Sequence, residues 1–393
     1  MNHPRSRVAS TSGAFPCAEA CNASDRAFNP RGELSLQHRR EIRLLLRGDS
    51  VVDWHRLDYQ NESEVRRMLA LNSLDVDDSA DSARLADLRA RAVAYVSDTL
   101  GLHISNEVGH EVAFLRLPIL ASGHGWEQRQ ACVLLKVMHI IYHLDARELR
   151  TRLPIADSDL FGLVEESVSR MFDELREARV PLAEFSWSRK TRASLVTKLL
   201  VKPQTRAARV FDRLRFRLIV KRPCDLGPAL HVMLRRFIPF NYVVPGQTVS
   251  TLVELAENDP SARSSSDFVR LVRDRPEASA PHPTDTSPSS GTAPATQPRD
   301  VGNEFSSDAF RVLNFVADLP VRVDDLIVDP HESCNVVFVL AEFQILDEAT
   351  ANTNDRAESA HALYKERQHA RVRQRLLQAP SGEKPHPGGD GGH

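Results

Sequence analysis

No apolar run in this chain approaches the roughly 20 residues that a membrane-spanning helix needs. The most hydrophobic window, Val133 to Tyr142, is broken by Lys136 and His139, so it reads as a buried helix and no membrane partner is expected. Residues 1 to 30 are rich in Ser, Ala, Asn and Arg and lack the apolar core of a secretory signal. The five cysteines, at positions 17, 21, 132, 224 and 334, are odd in number and have no framework spacing. In a chain of 393 residues that pattern argues against a disulfide scaffold and for a reducing cytoplasm. Net charge is nearly absent as well, at −2, while 41% hydrophobic and 26% charged residues are enough to bury a sizeable core.

The near-zero net charge hides a local excess. Ser186 to Phe240 carries 14 Lys and Arg against Asp212 and Asp225 alone, a density that ordinarily faces a polyanion, either nucleic acid or nucleotide phosphates. At its centre runs R-V-F-D-R-L-R-F-R-L-I-V-K-R, Arg209 to Arg222, in which Leu214, Phe216 and Leu218 alternate with Arg213, Arg215 and Arg217. A period of two over apolar and cationic residues predicts a strand with one greasy and one cationic face. Asp212 sits at its mouth, among guanidiniums that favour its ionised form.

Along the chain, residues 1–33 are polar, lack periodicity and are expected to be disordered. Residues 34–180 show helical spacing throughout, clearest in the stripe Leu160, Val164, Val168, Met171, Phe172 and Leu175, and predict an α-helical domain. Within it Lys136, His139, His143 and Arg147 share one helical face; the H-x-x-x-H spacing suits a metal, but without an evident third ligand it reads as a polar contact between helices. A second folded region spans 186–258 and 304–378, interrupted at 259–303 by a Ser-, Pro- and Thr-rich stretch expected to be a disordered insertion; 379–393 is expected to be a loose tail. Val312–Ala317 and Asn335–Ile345 read as strands. In the latter, Val337, Val339, Ala341, Phe343 and Ile345 face one way, and Glu342 and Gln344 the other.

Two acids on neighbouring strands beside a cationic surface suit metal-dependent phosphoryl transfer, since Mg²⁺ takes hard carboxylate oxygens and completes its shell with water and substrate phosphates. Asp212 and Glu342 meet that description.

Four blocks between Lys190 and Glu366 resemble the synthetase domain of the RelA/SpoT alarmone synthetases. Lys190, Ser194 and Lys198 match that family's basic helix at the ATP phosphates. F-D-R-L-R-F-R-L-I-V is similar to its strand, with Asp212 at the metal-binding acid and Arg217 five places on. A-F-R-V-L-N-F-V, Ala309 to Val316, falls on its G-Y-x-S-x-H segment and puts Phe310 where a tyrosine stacks on guanine. A-E-F-Q-I falls on its V-E-V-Q-I strand, with Glu342 at the catalytic acid and Gln344 beyond it, and His361, Tyr364 and Lys365 follow in register with its H-W-x-Y-K helix. The departures are Ala309, Val312 and Asn314 for the Gly, Ser and His of the third block, and Leu346-Asp347 for an Arg-Thr pair. The chain as a whole is also similar to an uncharacterised bacterial family, a likeness that adds no function.

The resemblance implies an α+β fold in which the helical domain precedes a nucleotidyltransferase-like mixed sheet flanked by helices. It implies Asp212 and Glu342 as metal ligands and catalytic acids for Mg²⁺. It further implies Lys190, Ser194, Lys198, Arg217, Phe310, Gln344, His361 and Lys365 as nucleotide contacts, and ATP and a guanine nucleotide as partners. The activity implied is transfer of pyrophosphate from ATP to a hydroxyl. Beside it stand a nucleotide-binding regulator that has lost turnover, which suits the departures near the acceptor, and an RNA- or tRNA-binding or tRNA-modifying protein, which suits the cationic segment.

Overall fold

The computed structural model describes residues 28–48, 54–201, 213–272, 310–327 and 334–357, with 369–370, 372–374 and 376–377. The chain divides into two compact units: Met1–Arg189, Phe211–Val272 and Arg311–Ala351 form one, and Lys190–Val210, Arg273–Phe310 and Asn352–His393 the other.

The first unit opens with helices α1 (Leu36–Arg47), α2 (Glu62–Leu71), α3 (Ser79–Ala94), α4 (Arg116–Ala121), α5 (Trp126–Arg152) and α6 (Asp157–Glu177). Their ends are marked in the sequence. Ser35 caps α1 through the His38 amide, Asn61 caps α2 through Glu64, Asp78 caps α3 through Ala80 and Asp81, and Gly48 closes α1 in the left-handed conformation. The stripe foreseen on α6 is buried at Leu160, Val164, Val168, Met171 and Leu175, with Phe172 half-buried.

Next come β1 (Leu182–Arg189), α7 (Arg192–Val201), β2 (Leu214–Val220), α8 (Leu226–Arg236), β3 (Val249–Ser250), β4 (Val253–Leu255), α9 (Ser265–Phe268), β5 (Val269–Leu271), β6 (Leu313–Arg322), β7 (Val336–Asp347) and α10 (Glu348–Ala357). Five strands form one sheet in the order β1-β2-β7-β6-β3, and β4 and β5 pair separately. Only β2 and β7 run parallel; β1–β2, β6–β7 and β3–β6 are antiparallel. The fold is thus α+β around a mixed sheet.

The period of two sorts the sheet into faces. On one, Phe185, Phe216, Phe343 and Phe315 stack in a row across four strands, with ring centroids 6.3, 5.4 and 5.3 Å apart in turn. Phe172 of α6 stacks on Phe185, and Phe237, just beyond α8, meets Phe343 edge-on. Helices α6 and α8 therefore cover this face. On the opposite face α5 covers one end, where Tyr142 and His143 pack against Phe338. The hydrophobic core runs without a break from the α1–α6 helices into the sheet.

The expected disordered stretch 259–303 begins too early. Ser264 caps α9, Phe268 is 1% exposed, and β5 pairs with β4. Gly227 of α8 passes so close to Ser265 that a Cβ there would run into the Ser265 carbonyl. The three consecutive serines resemble a linker, yet one of them is a cap and the next packs against α8. Residues 273–309 lie outside the described residues, as do 1–27 and the tail after Leu377.

Candidate functional site

The sheet face opposite the phenylalanine row carries polar groups in two rows at the end that α5 leaves. Strand register aligns Ser188, Arg215, Glu342 and Val316 in one row, and Ser186, Arg217, Gln344 and Asn314 in the other. Parallel pairing of β2 with β7 sets Arg215 directly beside Glu342 and Arg217 beside Gln344, so two cations and two hydrogen-bonding side chains alternate across the sheet. The alternation read from the sequence put Glu342 and Gln344 on one face of their strand, and the register bears this out.

Glu342 is the most enclosed of these groups, its side chain 8% exposed. Arg215 donates from Nε to Glu342 Oε2 at 2.6 Å and keeps 32% of its side chain exposed. Asn314, one diagonal step from Glu342 across β6 and β7, has a buried Oδ1 with no hydrogen-bond partner among the described residues. Diagonal side chains on an antiparallel pair stand about 7–8 Å apart, so a small ligand or hydrated ion could reach both. Arg215 and Asn314 were not among the candidate site residues. The count of cations did not show that Arg215 would fall opposite Glu342, because the partner strand lies more than a hundred residues away.

Other expected site residues lie outside the described residues or in the second unit. Asp212, His361 and Lys365 lie outside the described residues, so the expected closeness of Asp212 and Glu342 does too. Lys190, Ser194 and Phe310 belong to the second unit. There Thr191 stands at the start of α7, its Oγ1 accepting from the Ser194 amide at 3.3 Å. Lys198 falls within α7, and its side chain is outside the described residues.

The cationic segment is less free than its composition suggests. Arg189 binds Glu165, Arg213 binds Asp157 and Arg236 approaches Glu174, all acids of α6, while Arg222 pairs with Asp225. Hydrogen bonds from Arg213 and Arg150 hold Asp157 below the usual carboxylate range, against its partial burial. Acids of α6 thus answer three of the segment's cations.

His143 makes its polar contact with the sheet, and His139 packs on the short helical turn Phe240–Tyr242. His139 stacks on Tyr242 at 4.5 Å, and His143 Nε2 lies 2.9 Å from Asp318 Oδ2 on β6. Among the described residues no group of three or more His, Cys, Asp and Glu could hold a metal ion. Asp347, which stands where the resembling family has threonine, accepts from the Thr350 amide and hydroxyl and so caps α10.

These features define a mixed α+β protein with a polar patch of Glu342, Gln344, Asn314 and two arginines on one sheet face. No family model matches the chain, and no curated protein does. Among solved structures it is similar to small alarmone synthetase 1 of Bacillus subtilis, at 11% identity and a TM-score of 0.29 over 55% of this chain and 86% of that one. It is also similar to small alarmone synthetase 2 of the same organism, at 14% identity and 0.28 over 56% and 90%. A third, a GTP pyrophosphokinase family protein from Streptococcus pneumoniae, stands at 11% and 0.28 over 56% and 83%. At such TM-scores these likenesses bear no weight for the site or its reaction. No helix among the described residues is long and apolar enough to cross a membrane.

Proposed function

We propose that the chain is a divergent nucleotide pyrophosphokinase of the alarmone-synthetase kind, transferring pyrophosphate from ATP to a hydroxyl of a guanine nucleotide or of another acceptor. The observation that carries this reading is Glu342: a nearly buried carboxylate in the A-E-F-Q-I block, flanked by Gln344 and, on the parallel strand, by Arg215 and Arg217. A buried carboxylate is ordinarily paired with a cation or bound to a metal; Arg215 is one such partner, and a metal carried by a phosphate-bearing ligand would be another.

The donor set fits Mg²⁺ in kind, because it offers hard oxygens: the Glu342 carboxylate and the unpartnered Asn314 Oδ1 on one face. Glu342 and Asp212 would hold the ion, which when bound would neutralise charge on the phosphates. The remaining work belongs to side chains. Arg217 would orient phosphate oxygens, for which the planar guanidinium offers paired hydrogen bonds, and the resemblance assigns phosphate contacts to Lys190 and Lys198 as well. Phe310 offers a stacking face to the acceptor's base. Glu342 takes the proton of the attacking hydroxyl as its oxygen bonds to the β-phosphorus; the bond from that phosphorus to the α-phosphate oxygen breaks, and AMP leaves.

Incubation of the full chain with labelled ATP, Mg²⁺ and either GDP, GTP or bulk tRNA tests this. A labelled pyrophosphorylated product, absent with Glu342→Gln, supports it. Guanine-nucleotide binding without transfer to any acceptor would sink it in favour of a regulator without turnover, a second reading that the Arg215 bond to Glu342 favours. RNA binding is the less supported reading, since Arg189, Arg213, Arg215 and Arg222 of the basic segment hold carboxylates.

A further inference from the structure

We propose that Arg215 is a gate on Glu342, closed by the bond between the two and opened when an anionic ligand draws its guanidinium away. The inference rests on the reading of Glu342 as a ligand-binding acid, though not on turnover.

One carboxylate oxygen of Glu342 already accepts a short, charge-assisted bond from Arg215 Nε. A divalent cation seeking that carboxylate would meet a guanidinium at bonding distance, and the two positive charges would repel one another beside a nearly enclosed acid. The two partners differ in freedom. Glu342 is fixed in the middle of a central strand with 8% of its side chain exposed, whereas Arg215 keeps 32% of its own in solvent and can turn outward. Phosphate oxygens would compete for Arg215, because they carry more charge than one carboxylate and match the guanidinium fork. Arg217, in register with Gln344 one row away, adds to the pull on such an anion. Transfer of Arg215 from Glu342 to the ligand would leave the carboxylate open, so anion binding and cation binding would favour one another. Coupling of this sort is reciprocal and commonly amounts to about 5–150-fold.

Two titrations on the full chain test the gate, and neither reads turnover. The first measures Mn²⁺ binding by electron paramagnetic resonance without nucleotide. Arg215→Met should bind Mn²⁺ at least about fivefold more tightly than wild type, and adding Glu342→Gln should erase the gain. The second measures binding of α,β-methylene-ATP in the presence of a chelator. Glu342→Gln, which removes the carboxylate charge from beside Arg215 while keeping the shape of the site, should bind the analogue more tightly than wild type, and Arg215→Met more weakly. Unchanged or weaker analogue binding by a folded Glu342→Gln overturns the gate, as does an Mn²⁺ gain that survives loss of Glu342. No binding of the analogue by any of the proteins overturns it too. If Arg215→Met fails to fold, the Glu342→Gln arm decides alone. Failure of the pyrophosphokinase reading shows elsewhere, as absent product, and leaves both titrations standing.

Discussion

Arg322 at the end of β6 reaches into the helical half of the chain, where its Nη1 lies 2.7 Å from Oδ2 of Asp81 on α3. Asp81 is fully buried and also receives Arg84 and Asn335, while Arg322 holds Asp324 as well. A buried charge left without its partner is costly, commonly about 3–5 kcal/mol. Arg322→Met should therefore lower unfolding free energy by about 3 kcal/mol, the low end of that range because Arg84 and Asn335 remain. Urea unfolding followed by circular dichroism would measure it.

Acid should loosen the molecule through His231. Its ring is 3% exposed, packs 4.7 Å from that of His38, and is pushed down to about 3 by burial and then by His38. In the unfolded chain the same group titrates near about 6.5. Below that pH the unfolded state binds the proton and the folded state does not, so this stability is present above about pH 6.5 and falls away as pH drops toward 3. The slope expected is up to about 1.4 kcal/mol per pH unit. Unfolding at pH 7, 6 and 5 should show it, and His231→Phe should remove about one proton from the pH dependence.

The phenylalanine row is the sheet's main apolar investment, and Phe343 is its hub, touching Phe216, Phe315 and Phe237. Phe343→Ala should destabilise by about 3–5 kcal/mol. Phe343→Leu should cost much less. Equal losses in the two variants would mean that packing volume at this position is not what matters.

Residues 273–309 should be removable. Their flanks meet at one place: the Val272 amide donates to the Leu252 carbonyl at 2.9 Å, and the Thr251 amide to that of Val312 at 3.0 Å. A few Gly and Ser could join them, and loop length itself costs little. Replacement of 273–309 by such a linker should leave the melting temperature within a few degrees, whereas removal from residue 259 onward, which takes Phe268 with it, should cost more than about 3 kcal/mol.

Phe310 carries the least protected part of the proposed function, since it keeps a stacking face but lacks a tyrosine hydroxyl. Phe310→Ala should weaken guanine-nucleotide binding by about 1–3 kcal/mol, the usual worth of a base on an aromatic ring. Isothermal titration with GDP would read it, and an unchanged affinity would remove Phe310 from the site.

Local periodicity carried the reading of this chain further than counting did. The alternation in β7 told which way Glu342 and Gln344 face, and the stripe on α6 told what that helix buries, because each signal is written within a dozen or so residues. The charge count around β2 told less, since the acids that answer Arg189, Arg213 and Arg236 come from α6, earlier in the chain. The ion pair of Arg215 with Glu342 was illegible for the same reason: strand order decides it, and strand order is settled by the whole core. Ser264 to Ser266 look like linker until Gly227 and Phe268 are seen to pack there.

The parallel pairing of β2 with β7 also bears on how the chain reaches this state. Arg215 and Glu342 are 127 residues apart in sequence, and β7 lies at the centre of the sheet. During synthesis Phe185 and Phe216 emerge long before Phe343 exists to cover them, and contacts closed over such separations form slowly. Chains cut before Val336 would lack the strand that joins the two halves of the sheet, leaving β2 with an open edge and a bare aromatic flank. Such fragments should be drawn to one another and to chaperones, so a truncation that spares most of the residues would still forfeit solubility.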